Sequence, residues 1–166
     1  MGSDINFRVT LSIRKEPEFC PVYCKMEHSP KFPQQKTVKL SCDAIYRFDI
    51  SFKPPQSLEV LSIDGKQIEA VERLRDGIAC AYSAYFNTKD VQPCARGQRE
   101  ELPIIIKINS SGYLSTCLQI KYYKSDNRSH YEWGALLHCI ELDCSCTDYQ
   151  NIIVNKETYR KFGVET

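Results

Sequence analysis

Phe7-Arg8-Val9-Thr10-Leu11-Ser12-Ile13-Arg14 alternates apolar and polar side chains without a break. Successive side chains of an extended chain point to opposite faces, so a period of two puts Phe7, Val9, Leu11 and Ile13 on one face of a strand. The same alternation returns in Tyr46, Phe48, Ile50 and Phe52, in Ile78, Cys80, Tyr82, Ala84 and Phe86, and in Leu114, Thr116, Leu118, Ile120 and Tyr122. Shorter strands are expected at residues 22–25, 37–40, 58–63, 66–71, 104–108, 136–142 and 152–154.

Between these runs stand Pro30, Pro33, Lys53-Pro54-Pro55, Asp64-Gly65, Asp76-Gly77, Gly97 and Ser110-Ser111-Gly112, residue types whose stereochemistry suits turns. Ile63-Asp64-Gly65-Lys66 is the strongest hairpin signal, because Asp-Gly fits a type I′ turn. Only residues 66–75 invite a helical reading, and Asp76-Gly77 would end it. The pattern predicts an all-β fold, an antiparallel sandwich or barrel of about ten strands. One domain is expected over the 166 residues, with flexible ends at 1–5 and 163–166.

A hydrophobic share of 42%, a charged share of 26% and a formal net charge of +1 are those of an ordinary globular chain. Bulk electrostatics therefore favours neither nucleic acid nor an acidic membrane. The longest apolar run, Ile104 to Ile106, is far short of the roughly 20 residues a membrane helix needs. Met1-Gly2-Ser3-Asp4-Ile5-Asn6 lacks the basic and apolar regions of a secretory signal, and Asn6 stands where a myristoylation motif wants Ser or Thr. Nine cysteines at irregular spacing, an odd number, read as reduced thiols of a cytosolic protein, most of them small apolar core residues. The triplets at Asn109 and Asn127 would accept glycans only in a secreted chain.

The clusters that catalysis needs are missing. The glycines have neither dinucleotide-binding nor phosphate-loop spacing, and no nucleophile-elbow or zincin motif occurs. His130, near Asp126 and Glu132, is better read as a solvated loop residue than as half of an acid–base pair. His138, Cys139, Cys144 and Cys146 lack zinc spacing, since adjacent residues of a strand point to opposite faces. Cys20 and Cys24 have the spacing of half a zinc site with no second half. No metal or cofactor is expected, and the chain reads as a monomeric, non-enzymatic binding module. The polar stretch 124–130 reads as a surface loop, and the single tryptophan after it, Trp133, as a core plug.

Arg8-Val-Thr-Leu-Ser-Ile13, Phe32-Pro-Gln-Gln-Lys-Thr-Val-Lys-Leu40, Tyr46 through Pro54, Leu58-Glu-Val-Leu-Ser-Ile-Asp-Gly65, Gln119-Ile-Lys-Tyr-Tyr123, Trp133-Gly134, Ile140-Glu141 and Val154-Asn-Lys-Glu157 run in order along the chain. In these stretches it resembles the cannabinoid receptor-interacting protein family. It departs from that family in its cysteine content, in segment 20–24 and in loop 93–101. The resemblance implies a cytoplasmic adaptor that binds the C-terminal cytoplasmic tail of a cannabinoid-type G-protein-coupled receptor and dampens its signalling at the inner face of the plasma membrane. It also implies a barrel similar to the Rho GDP-dissociation inhibitor, and with it an alternative role as carrier of the acyl chain of a lipidated protein, such as a myristoylated G-protein α subunit.

An extended receptor tail would add to a strand edge or lie in a groove, with its carboxylate on a basic residue or backbone donors. Lys121 and Tyr123 are candidates because they face away from the apolar side of their strand, and Arg128 and His130 because they lie in the next loop. An acyl chain would be lined by the inward residues Val9, Leu11, Phe48, Ile50, Phe86, Ile104, Ile106, Leu118 and Ile120.

Overall fold

The computed structural model describes residues 5–28, 30–108, 112–146 and 151–163. The expected flexible ends therefore lie mostly outside the described residues, as does Asn109. Thirteen strands and one helical turn occupy the described chain: β1 (Ile5–Lys15), β2 (Cys20–Pro21), β3 (Tyr23–Met26), β4 (Lys36–Ser41), β5 (Ile45–Lys53), β6 (Leu58–Ile63), β7 (Lys66–Ile68), β8 (Val71–Arg75), β9 (Cys80–Asn87), β10 (Glu100–Ile108), β11 (Gly112–Tyr123), α1 (Arg128–Tyr131), β12 (Ala135–Cys146) and β13 (Ile153–Lys161).

The strands form one curled sheet in the order β7-β6-β10-β11-β4-β3-β12-β1-β5-β9-β8, with β13 on β12 and β2 on β1. β12 is the corner between the two halves. Its first residues, Ala135 and Leu136, pair with Cys24 and Tyr23 of β3, while Ile140 to Cys146 pair with β1. β1 sits between β12 and β5, so Phe7, Val9, Leu11 and Ile13 all point into the fold, 5% exposed or less. They join a single apolar cluster fed by both halves of the sheet, in which Phe48 meets Phe86 and Phe52 meets Tyr82 edge to face.

The all-β fold agrees with the alternation of side chains, and four details differ. First, the sheet is mixed, because β11 and β4 run parallel, with Ile120 to Tyr123 in register with Val38 to Ser41. Parallel neighbours need a long crossover, which the chain makes by building β5 to β10 between them. Second, the single strand expected at 66–71 is two. β7 closes the Asp64-Gly65 hairpin with β6, both turn residues at positive φ, and β8 pairs instead with β9. The break at Glu69-Ala70 carries the chain from one half of the sheet to the other. Third, Ile78 lies in the Asp76 turn rather than in β9, because the Asp76 carboxylate accepts the Ile78 and Ala79 N–H groups. β13 also extends well past the expected 152–154, its polar residues taking a ladder position on β12.

Candidate functional site

On β3, β4 and β11 the residues that alternate with the core face outward. Cys24, Val38, Leu40, Ile120 and Tyr122 point in, and Lys25, Lys39 and Lys121 point out. The parallel register sets Lys39 directly beside Lys121. Residues 93–98 wall one side of this face, because the Cys94 N–H donates to the Tyr122 carbonyl at 2.9 Å and the Tyr122 N–H donates to Cys94 Sγ at 3.3 Å. α1 and the turn after it wall the other.

The result is an open groove of about 760 Å³ lined by Lys25, Lys39, Arg96, Lys121, Lys124, Tyr123, His130 and Trp133, with Asn127, Gln98 and the 93–95 segment completing it. Among the described residues no aspartate or glutamate lines it. None of its five lysine and arginine side chains makes an ion pair among the described residues. Burial pulls the Lys39 ammonium below its ordinary value, with Lys25 and Lys121 adding repulsion. Lys121 is lowered in the same way, by burial first and then by Arg99 and Lys25. Like charges gathered on a partly desolvated surface are a standing demand for an anion.

Lys39 organises the wall. Its Nζ donates to the His130 carbonyl at 2.8 Å and to the Trp133 carbonyl at 2.6 Å, satisfying acceptors that a single helical turn leaves open. The same ammonium lies 5.2 Å from the Trp133 ring centre and 5.8 Å from that of Tyr123. Gly134 follows at φ +122°, and a Cβ there would stand 2.7 Å from the Cys24 carbonyl oxygen. Only glycine lets the turn come this close to β3, which fixes where Trp133 stands just before the chain enters β12.

Beneath the end of the groove, Arg99 and Glu27 form a buried ion pair at 2.7 Å. The Thr37 hydroxyl donates to the same carboxylate at 2.7 Å and itself accepts from Gln119 Nε2 at 2.8 Å. Glu27 is thereby held in contact with Arg99, and it forms no ion pair with the groove lysines among the described residues.

Of the tail-binding candidates, Lys121, Tyr123 and His130 converge on the groove, and Arg128 does not. Arg128 lies on the opposite side of α1, where it pairs with Glu132 at 3.1 Å. Tyr123 does face away from the core, yet it is only 9% exposed, because Tyr131, Lys39 and Lys121 pack over its ring. Trp133 is 70% exposed and is no core plug. Lys25, Lys39, Arg96 and Lys124 were not singled out in the sequence. Lys39 could have been, as the outward residue of the strand 37–40. The nine residues expected around an acyl chain all belong to the apolar cluster, each 3% exposed or less.

Among the described residues no group of three or more His, Cys, Asp or Glu is placed to hold a metal, and no helix is long and apolar enough to cross a membrane. The described cysteines are free thiols, and all but Cys20 are at least partly buried.

The sequence profile of CB1 cannabinoid receptor-interacting protein 1 matches residues 3–159. The chain belongs to that family. It is 28% identical over 156 residues to the CB1 cannabinoid receptor-interacting protein 1 of Homo sapiens, covering 92% of this chain and 94% of the human one. The Bos taurus and Mus musculus proteins of the same name match with the same identity and coverage. The family is named for a receptor interaction rather than for a reaction.

Proposed function

We propose that this protein is a cytoplasmic adaptor whose basic groove takes the C-terminal tail of a G-protein-coupled receptor of the cannabinoid type, and that occupancy dampens the receptor's signalling. The observation that carries this reading is a groove with five lysine and arginine side chains and, among the described residues, no carboxylate on its walls. A tail ending in a free carboxylate, with acidic side chains before it, supplies complementary charge. The exposed Trp133 ring offers apolar surface to the residues between. The outward arc of lysines raises the encounter rate more than the final affinity, so binding weakens as salt is added.

The test is calorimetric titration of the full chain with a synthetic peptide of the receptor's tail. Affinity in the micromolar range is expected, since a short segment buries limited surface and must be ordered on binding. Amidation of the peptide's C-terminus and charge reversal in a Lys25→Glu, Lys121→Glu variant should each weaken binding severalfold. Equal affinity for the acid and amide peptides, together with an unaffected double variant, would remove the groove from the reading.

A further inference from the structure

Beyond the groove, on the far side of α1, lies a second hollow of about 340 Å³ between β1, β2, β3 and the start of β12. We propose that it is a binding site for a compact monoanionic amphiphile, an arylalkanoate in size and charge. The hollow falls at the small end of the roughly 300–1,000 Å³ of small-molecule sites and has their character, an apolar body with few polar groups. Pro21, Val22 and Leu136 supply its apolar walls, and the buried ring of Tyr46 also borders it.

The charge of the ligand follows from what the lining cations already hold. Arg128 is ion-paired with Glu132, and Lys39 donates to two carbonyls. Lys15 remains. Its Nζ donates to the Tyr131 hydroxyl at 3.1 Å and lies 4.7 Å from that ring's centre, and it makes no ion pair among the described residues. The Tyr131 hydroxyl donates in turn to the Ser125 carbonyl at 3.0 Å, so it orients the ammonium without neutralising it. Lys39 spends its donors on carbonyls without losing its charge, and Glu132 on the same wall is held by Arg128. Lys15 is therefore the cation placed to meet a ligand, and the net positive charge beside an apolar cup asks for an anion with a short apolar body. The volume sets the length, and a long acyl chain is not the ligand that fits.

The site stands independently of receptor binding, and its probe is 4-phenylbutyrate added to the full chain. Saturable shifts of the Val22, Tyr23 and Leu136 backbone amides are expected in nitrogen–proton correlation spectra. The uncharged analogue 4-phenylbutanol should bind about tenfold more weakly, the loss that about 1.4 kcal/mol of ion pairing represents. Lys15→Gln should erase that preference while leaving the fold unchanged. Cys20, an exposed thiol at the rim, gives a second readout that needs no variant. Saturating phenylbutyrate should slow its alkylation severalfold, measured by mass spectrometry. The proposal fails if the shifts map to the groove or do not saturate, if the alcohol binds as well as the acid, if Cys20 alkylates at an unchanged rate, or if only a long-chain acid such as myristate binds.

Discussion

Replacing Lys39 by Met keeps the length and apolar packing of the side chain and removes the ammonium that ties α1 and the Trp133 turn to the sheet. Lys39 is 5% exposed, and its two bonds to carbonyl oxygens are short, 2.8 and 2.6 Å. Hydrogen bonds from a charged donor are worth about 1.5–3 kcal/mol each, which puts the gross loss at about 3–6 kcal/mol. Against this, the variant no longer buries an ammonium beside Lys25 and Lys121, a cost of several kcal/mol for a charge fully removed from water and less for one at a groove wall. A net destabilisation of about 2 kcal/mol follows. In a chain of this size about 1 kcal/mol moves the melting temperature by about 2–4 °C, so a fall of about 4–8 °C is expected. Circular dichroism measures it. Because Trp133 is the only tryptophan and its ring lies against the Lys39 ammonium, its emission should shift at temperatures well below melting. A melting temperature lowered by less than about 1 °C with unaltered emission would refute the assignment of Lys39 as the tie, since the expected scale is several degrees.

The Glu27 carboxyl is pushed up by burial, but the bonds from Thr37 and Arg99 and the charges of Arg99 and Lys25 outweigh this and hold it below its ordinary value of 4.5. The unfolded chain then takes up this proton at higher pH than the folded one. The stabilisation is whole above the ordinary carboxylate value and is lost as pH falls through the lower folded value. Thermal melts from about pH 5 to about pH 3 should show a shallower decline in Glu27→Gln than in the parent, and parallel curves would disprove the linkage. Trp133→Ala should leave stability within about 0.5 kcal/mol, as expected of an exposed side chain, while weakening the tail peptide severalfold. A large loss of stability would instead show that the ring is a packing element.

How much of this could be read beforehand depends on the range of the interaction that decides each feature. The strands of Phe7 to Ile13 and Tyr46 to Phe52 were legible because a half-buried strand writes its face into its own period. The division of 66–75 into β7 and β8 was not, because each piece takes its partner from a different half of the sheet. The parallel neighbours β4 and β11 were invisible for the same reason, and with them the pairing of Lys39 with Lys121 that makes the groove. Lys121, Tyr123 and His130 could be named from strand alternation and the polar loop. Arg128 was named on the same evidence and sits on the other face of α1, a distinction that a single helical turn imposes and that 124–130, without periodicity, does not announce. Size and apolarity argue for burial of Trp133, whereas the close approach of Gly134 to β3 leaves the ring outside.

The placement of β1 between β5 and β12 has a consequence for how the chain is made. Of the described strands β1 is made before the others, and the neighbour that covers most of one edge, β12 at residues 140–146, comes long after it. A nascent chain can pair β1 with β5 early, but most of the other edge of β1, which β2 covers only at Arg14 and Lys15, stays open until β12 has left the ribosome. That edge belongs to the most regular apolar strand in the molecule, the type that recruits foreign strands. Closing it requires contacts across more than a hundred residues, the long-range pairing that slows folding. A ribosome stalled before β12 would therefore release a product with an adhesive edge, so that for this protein an incomplete chain is a liability to its neighbours as well as a loss of function.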